Sequence, residues 1–239
     1  MVNLIPEWVA GFIRNHRQVI SGISGRFGPE STQRENTAVI RLCRVVYMLD
    51  QQEIMTDIST QLTRIRDVIN VIKVTDELAK NRRNWLILTS SLDAVEDTEL
   101  AIESYSKHFG TSMDFASGYL EVYGVLQAMY VQQDAVRNIF KAMNIPLDRN
   151  DDLETIRLAR NIAIGHPTES GKSSYYITRL SMQWERFTLL KAGHKSSEEN
   201  SRIEVDLNRN IEIQKQIIYE NLKRCADILN ERYSRYIYE

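Results

Sequence analysis

At 239 residues the chain is long enough for one large domain or two small ones, and for a sizeable core. Hydrophobic residues make up 43% and charged residues 26%, which excludes wholesale disorder. A formal net charge of −2 excludes a global positive field for nucleic acid, so any basic surface must be local.

The N-terminus, MVNLIPEWVAGFIRNHRQ, mixes charges among apolar residues and lacks the order of a signal peptide. No apolar run nears the roughly 20 residues that span a bilayer. A cytoplasmic, soluble protein with no membrane partner is therefore expected. A short helix and a loop over SGISGRFGPEST (21–32) come first. From about Glu35 to Val74 the apolar spacing predicts helix, with Ile40, Cys43, Val46 and Tyr47 on one line. Leu62, Ile65, Val68, Ile69 and Ile72 form another. Cys43 and the distant Cys225 both lie among apolar residues at helical spacing, and read as buried free thiols in a reducing compartment. A further helix is expected from about Asn84 to Lys107. FGTS (109–112) then combines a glycine stop with a Thr/Ser cap, with Asp114 in the first turn. The boundary between an N-terminal helical region (1–110) and a second helical domain (111–239) is placed there.

A long helix is predicted over 113–143, with Phe115, Tyr119, Val122, Leu126, Met129, Val136, Phe140 and Met143 as its core line. Gln133 falls on that line and Gln132 on the neighbouring one. Buried amides need hydrogen-bond partners, so the pair either ties helices together or orients a site. In DDLE, Asp151 as N-cap and Glu154 three residues on predict a capping box and another helix. Beyond it, SYYITRLSM (174–182) and ERFTLL (185–190) read as a hairpin, with RIEVDL (202–207) as a third strand. A long amphipathic helix over roughly 208–236 closes the chain, burying Ile211, Ile218, Leu222, Cys225, Leu229 and Tyr233. The expected fold is mainly α, a helical bundle with a small β-hairpin insertion before the C-terminal helix.

Two site types are set aside. GHPTESGKS (165–173) has one residue too many between its glycines for a phosphate-binding loop, and follows a helix instead of a strand, so Lys172 reads as a solvated loop lysine. His16, His108, His166 and His194 are scattered, with no two at ligand spacing with a cysteine, so neither a metal site nor a cofactor is expected.

RLARNIAIGHPTE (157–169) holds the anomaly. On a helical wheel Leu153, Ile156, Leu158, Ala159, Ile162, Ala163 and Ile164 cover most of the circumference, while Glu154, Arg157 and Asn161 share one narrow polar arc. Arg160 falls outside that arc. A guanidinium among apolar neighbours must meet a carboxylate, a carbonyl or a bound anion. Gly165 then ends the helix, and Pro167 pushes His166 out of the α region, which presents the imidazole on the terminal turn.

Arg160, the polar Asn161, four spacer residues and His166 fit the R-[polar]-x4-H pattern, and over roughly residues 113–239 the chain resembles the HEPN superfamily. That resemblance implies an all-α bundle that dimerises and, as in many of its members, cuts RNA without metal. Histidine titrates near neutral pH and can move the protons of 2′-OH attack, while an arginine fork matches phosphate oxygens. Arg160, Asn161 and His166 are accordingly the candidate catalytic residues. Arg157, either phosphate-positioning or merely solvated, joins Gln132 and Gln133 as candidate substrate-binding residues. A toxin or defence role is implied too, with a neutralising partner protein encoded elsewhere. The alternative is a non-catalytic helical module that binds RNA, a nucleotide or a protein.

Overall fold

The computed structural model describes residues 58–165, 167–168, 173–193 and 200–237. The expectations for the N-terminal helix, the loop 21–32, Cys43, His16, His166, Lys172 and His194 lie outside the described residues. The chain divides into two units between Gln51 and Gln52, and everything below concerns the second. It is mainly α.

Residues 58–69 are helical (α1) and are followed by α2 (Ile72–Ala79), α3 (Arg82–Ser106) and α4 (Phe115–Ala142). The periodicity predicted through Val74 breaks at 70–71, where Val71 is extended. That break turns Ile72 outward, leaving it 78% exposed, and Val74 takes the buried position instead. Between α3 and α4 the backbone turns at Gly110 with φ 74, a left-handed value that glycine adopts without steric cost. The chain then runs extended to Asp114, and its carboxylate, not Thr111 or Ser112, caps α4 by accepting from the Ser117 amide at 3.1 Å. The turn near residue 110 joins two helices that pack extensively along each other.

Next come α5 (Asp151–Arg160), a π-helical turn (Asn161–Gly165), β1 (Ser173–Ile177), β2 (Arg186–Gly193), β3 (Ser201–Asp206) and α6 (Leu207–Ile237). The strands form an antiparallel sheet in the order β1-β2-β3, with Tyr176 opposite Leu190 and Leu189 opposite Ile203. Alternation along β2 buries Phe187 and Leu189 toward the helices.

The interior has two apolar halves. One gathers α1 and α2, the first part of α3, the C-terminal half of α4 and most of α6. The other gathers the end of α3, the N-terminal half of α4, α5, the sheet and the start of α6. Between them, at one level on three helices, lie Glu99 of α3, Gln132 and Gln133 of α4, and Gln214 and Lys215 of α6, all buried. Gln214 Nε2 donates to the Met129 carbonyl at 3.0 Å and to Gln132 Oε1 at 2.9 Å. Gln132 Nε2 donates to Glu99 Oε2 at 2.9 Å, and Gln133 Nε2 to Gln214 Oε1 at 2.7 Å. Lys215 Nζ lies 3.0 Å from Glu99 Oε1, an ion pair without good hydrogen-bond alignment.

Candidate functional site

The predicted capping residue of α5 shifts by one. Asn150, not Asp151, accepts the Leu153 amide at 3.0 Å. Glu154 does not reach back to the cap but receives Arg137 at 2.5 Å, so no capping box forms. Asp151, Asp152 and Glu154 occupy the first turn and Arg157 and Arg160 the last, matching the helix dipole at both ends. Ile156 is buried beneath the helix, whereas Leu158, expected to lie under cover, is 57% exposed.

Arg160 closes α5 half-buried, and its partners are amide oxygens. Nε and Nη2 donate to Gln127 Oε1 at 3.1 and 2.8 Å, and Nη1 donates to Asn161 Oδ1 at 3.1 Å. The guanidinium carbon stands 4.5 Å from the centre of the Tyr130 ring. Among the described residues no carboxylate pairs with it. Arg157, one turn earlier, differs. Its side chain is 12% exposed, Nη1 meets Asp134 Oδ1 at 2.9 Å, and its guanidinium carbon lies 3.9 Å from the centre of the same ring. Arg157 is thus neither solvated nor free to position a phosphate with an uncompensated charge.

Asn161 begins the π-helical turn, and there two adjacent side chains meet, which neighbours on a regular α-helix do not. Gly165 ends the turn without a positive φ. Its importance is space: a Cβ there would sit 2.9 Å from Arg160 Nη1. The guanidinium therefore lies directly against the backbone one residue before His166. On the far side of that position, the Pro167 and Thr168 carbonyls accept the Tyr175 amide and Ser174 hydroxyl, both at 2.6 Å, tying the segment to β1.

Arg157, Arg160 and Asn161 are brought together. Gln132 and Gln133 do not join them, because their amides are engaged in the buried layer between α3, α4 and α6. The residues that sequence reasoning missed are Gln127, Tyr130 and Asp134. They recur at three- and four-residue spacing along the α4 face turned to α5. That amide–aromatic–acid stripe was the available signal, outside the apolar core line. A second polar group fastens the α3–α4 connection to the sheet. His108 Nε2 lies 3.0 Å from Glu121 Oε2, its ring stacks on Trp184 at 4.7 Å, and the Tyr105 hydroxyl donates to the Trp184 carbonyl at 2.7 Å. Burial, then Glu121 and Glu185, push the Tyr105 hydroxyl well above the ordinary phenol range, so it stays a donor. No helix among the described residues is long and apolar enough to cross a membrane.

Comparison with protein-family models, with curated proteins and with solved structures finds no match to this chain.

Proposed function

We propose that the protein is a metal-independent endoribonuclease of HEPN type, acting as a cytoplasmic homodimer with Arg160, Asn161 and His166 as its reacting groups. The observation that carries this reading is the state of Arg160. It is half-buried, oriented by two neutral amides, and pairs with no carboxylate among the described residues. A guanidinium held that way keeps its charge for an anion, whereas Arg157, held by Asp134, does not. An RNA phosphate fits the free charge, and the fork stabilises the negative charge that grows as the phosphorane forms.

His166, next after Gly165, removes the 2′-OH proton as that oxygen attacks phosphorus. The bond to the 5′-oxygen breaks, and a second histidine from another copy of the motif protonates the leaving oxygen. Two copies on a two-fold axis supply the pair. Leu158, 57% exposed on the motif helix, supports such an apolar meeting surface. Cleavage of cellular RNA accounts for a toxin or defence role, with a neutralising protein restraining it.

A second reading has its own support. Among the described residues the partners of Arg160 come from α4 and the π-helical turn, and a guanidinium oriented by them can take an anion without any proton transfer. In that case the domain binds RNA and does not cut it.

The test is purified protein with several single-stranded RNAs in EDTA. Cleavage is expected to leave 2′,3′-cyclic phosphates and to spare a substrate with a 2′-O-methyl at the scissile position. His166→Ala should lose roughly 10²-fold or more, and light scattering should give a dimer mass. Cleavage that needs Mg²⁺, or that is unchanged in His166→Ala, overturns the nuclease reading. Binding without cleavage replaces it with the second.

A further inference from the structure

β3 is an edge of the sheet, and β2 is its only strand partner among the described residues. It runs in register along β2 without a bulge and carries neither proline nor lysine, common devices that stop an edge from pairing further. Which of its backbone groups are free follows from the ladder. The Leu207 amide donates to the Glu185 carbonyl at 2.7 Å. Every second pair of an antiparallel ladder is hydrogen-bonded, so Val205 bonds Phe187 and Ile203 bonds Leu189. Thr188, opposite Glu204, turns its carbonyl to the other side of β2, where it accepts the Thr178 amide at 2.9 Å. The backbone N–H and C=O groups of Arg202 and Glu204 therefore point outward, and no partner among the described residues meets them.

The same edge leaves apolar surface uncovered. Ile203 lies opposite Leu189 on the helix-facing side, yet Leu189 is fully buried and Ile203 is 37% exposed. Ile203 and the exposed Leu158 of α5 line one groove of about 330 Å³, together with the buried Ile162 and Val205.

We infer that this edge is the contact with a second copy of the chain: β3 pairs antiparallel with β3 of the copy across a two-fold axis at Ile203, joining the two sheets. The strand's own charges select that axis. Outward-pointing residues must stand opposite outward-pointing residues. An axis at Arg202 sets Arg202 against itself, one at Glu204 sets Glu204 against itself, and one at Val205 sets Glu204 against Asp206. All three oppose like charges, which destabilises the pairing. An axis at Ile203 instead sets Arg202 opposite Glu204 of the copy, once on each side. Arg186 lies 3.7 Å from Glu204 Oε1 in an exposed pair, which is weak and leaves the carboxylate able to take Arg202 of the copy as well. About four main-chain hydrogen bonds then form between the copies, and the two Ile203 side chains meet in the groove beside Leu158. A contact of this kind uses the same patch on both copies, so it closes as a dimer and does not grow into a filament. It deepens the homodimer of the proposed function by naming its surface, while the pairing itself needs neither His166 nor RNA.

The test is the mass of the full chain by sedimentation at micromolar concentration, with circular dichroism to check the fold. The natural protein should be a dimer, and Ile203→Lys should be a folded monomer. Arg202→Glu or Glu204→Arg alone places like charges opposite each other at both positions, and should raise the dimer dissociation constant about tenfold or more. Because both residues are exposed, these two variants keep the test open should Ile203→Lys fail to fold. Arg202→Glu combined with Glu204→Arg restores the opposite charges in this register alone, and should bring dimerisation back. A monomeric natural protein, or a double variant that dimerises no better than either single one, overturns the proposal. A dimer that ignores every one of these changes overturns the β3 contact but leaves the homodimer itself in place. A dimer that follows them and cuts no RNA supports the β3 contact and counts against the nuclease alone.

Discussion

Arg157 and Arg160 lie against one tyrosine, a single helical turn apart, and their fates differ because of what α4 places opposite each. Arg157 meets the carboxylate of Asp134, and Arg160 meets the amide of Gln127. The first is neutralised in place, and the second is oriented with its charge intact. Arg160→Lys should therefore keep the fold and lose most RNA cleavage, since lysine lacks the planar fork that Gln127 and Asn161 hold. An active Lys variant with a lowered melting temperature would mean that Arg160 is a packing residue. Gly165→Ala tests the same point from the backbone side. Its methyl would stand 2.9 Å from Nη1, and the end of a flexible side chain can move away. Melting temperature should change little while cleavage falls, and a fully active Gly165→Ala protein would count against a placed guanidinium. At Cys225, burial pushes the thiol up from 9.0 to about 12, against a smaller opposite pull from Arg232 and Arg224. The unfolded thiol ionises first, so the stabilisation is complete below the ordinary thiol value and is lost as pH rises through about 12. Melting temperature across that alkaline window should fall more steeply for the natural protein than for Cys225→Ala.

At the scale of the element, apolar spacing located the helices and strands well, and their ends less well. β3 falls within a residue of the third strand expected from its β-branched residues, but β2 runs on to Gly193 and β1 stops at Ile177, well short of the run expected to 182, where Arg179–Ser181 form a 3-10 turn instead. Caps moved because the choice among neighbouring polar residues depends on which one is extended. Asn150 has ψ 120 and caps α5, while Asp151 is already helical. Asn150→Ala should cost about 1 kcal/mol in a denaturant titration, and Asp151→Ala clearly less. Equal costs would return the cap to Asp151. The π-helical turn over Asn161–Gly165 was not legible either, since its residues suit an α-helix equally well.

The whole unit is organised by the polar layer that divides its two apolar halves. Glu99 and Lys215 are 7% and 2% exposed, and three glutamines hold α3, α4 and α6 at one level around them. Removing one charge of a buried pair strands the other, so Lys215→Met should destabilise by about 3–5 kcal/mol. Adding Glu99→Gln, which keeps an acceptor for Gln132, should recover much of that loss. Additive costs in urea denaturation would show that the two residues do not act as a pair. Such a layer fixes the relative height of the helices, because a slip of one turn would bury each amide against hydrocarbon.

From sequence alone came the mainly α fold, the sheet before the last helix, the burial of Gln132 and Gln133, and the demand that Arg160 find a polar partner. All of these are local: periodicity, turn chemistry and the cost of an unpaired buried group act within a few turns of chain. Which partner Arg160 takes was decided by tertiary structure, because Gln127 lies 33 residues away and reaches it only when α4 packs on α5. The pairing of Glu99 with Lys215 was decided in the same way, across 116 residues of chain, since nothing near either residue announces the other. Hydrogen-bond partners of buried groups are set by where distant helices cross, and the crossing is a property of the assembled core.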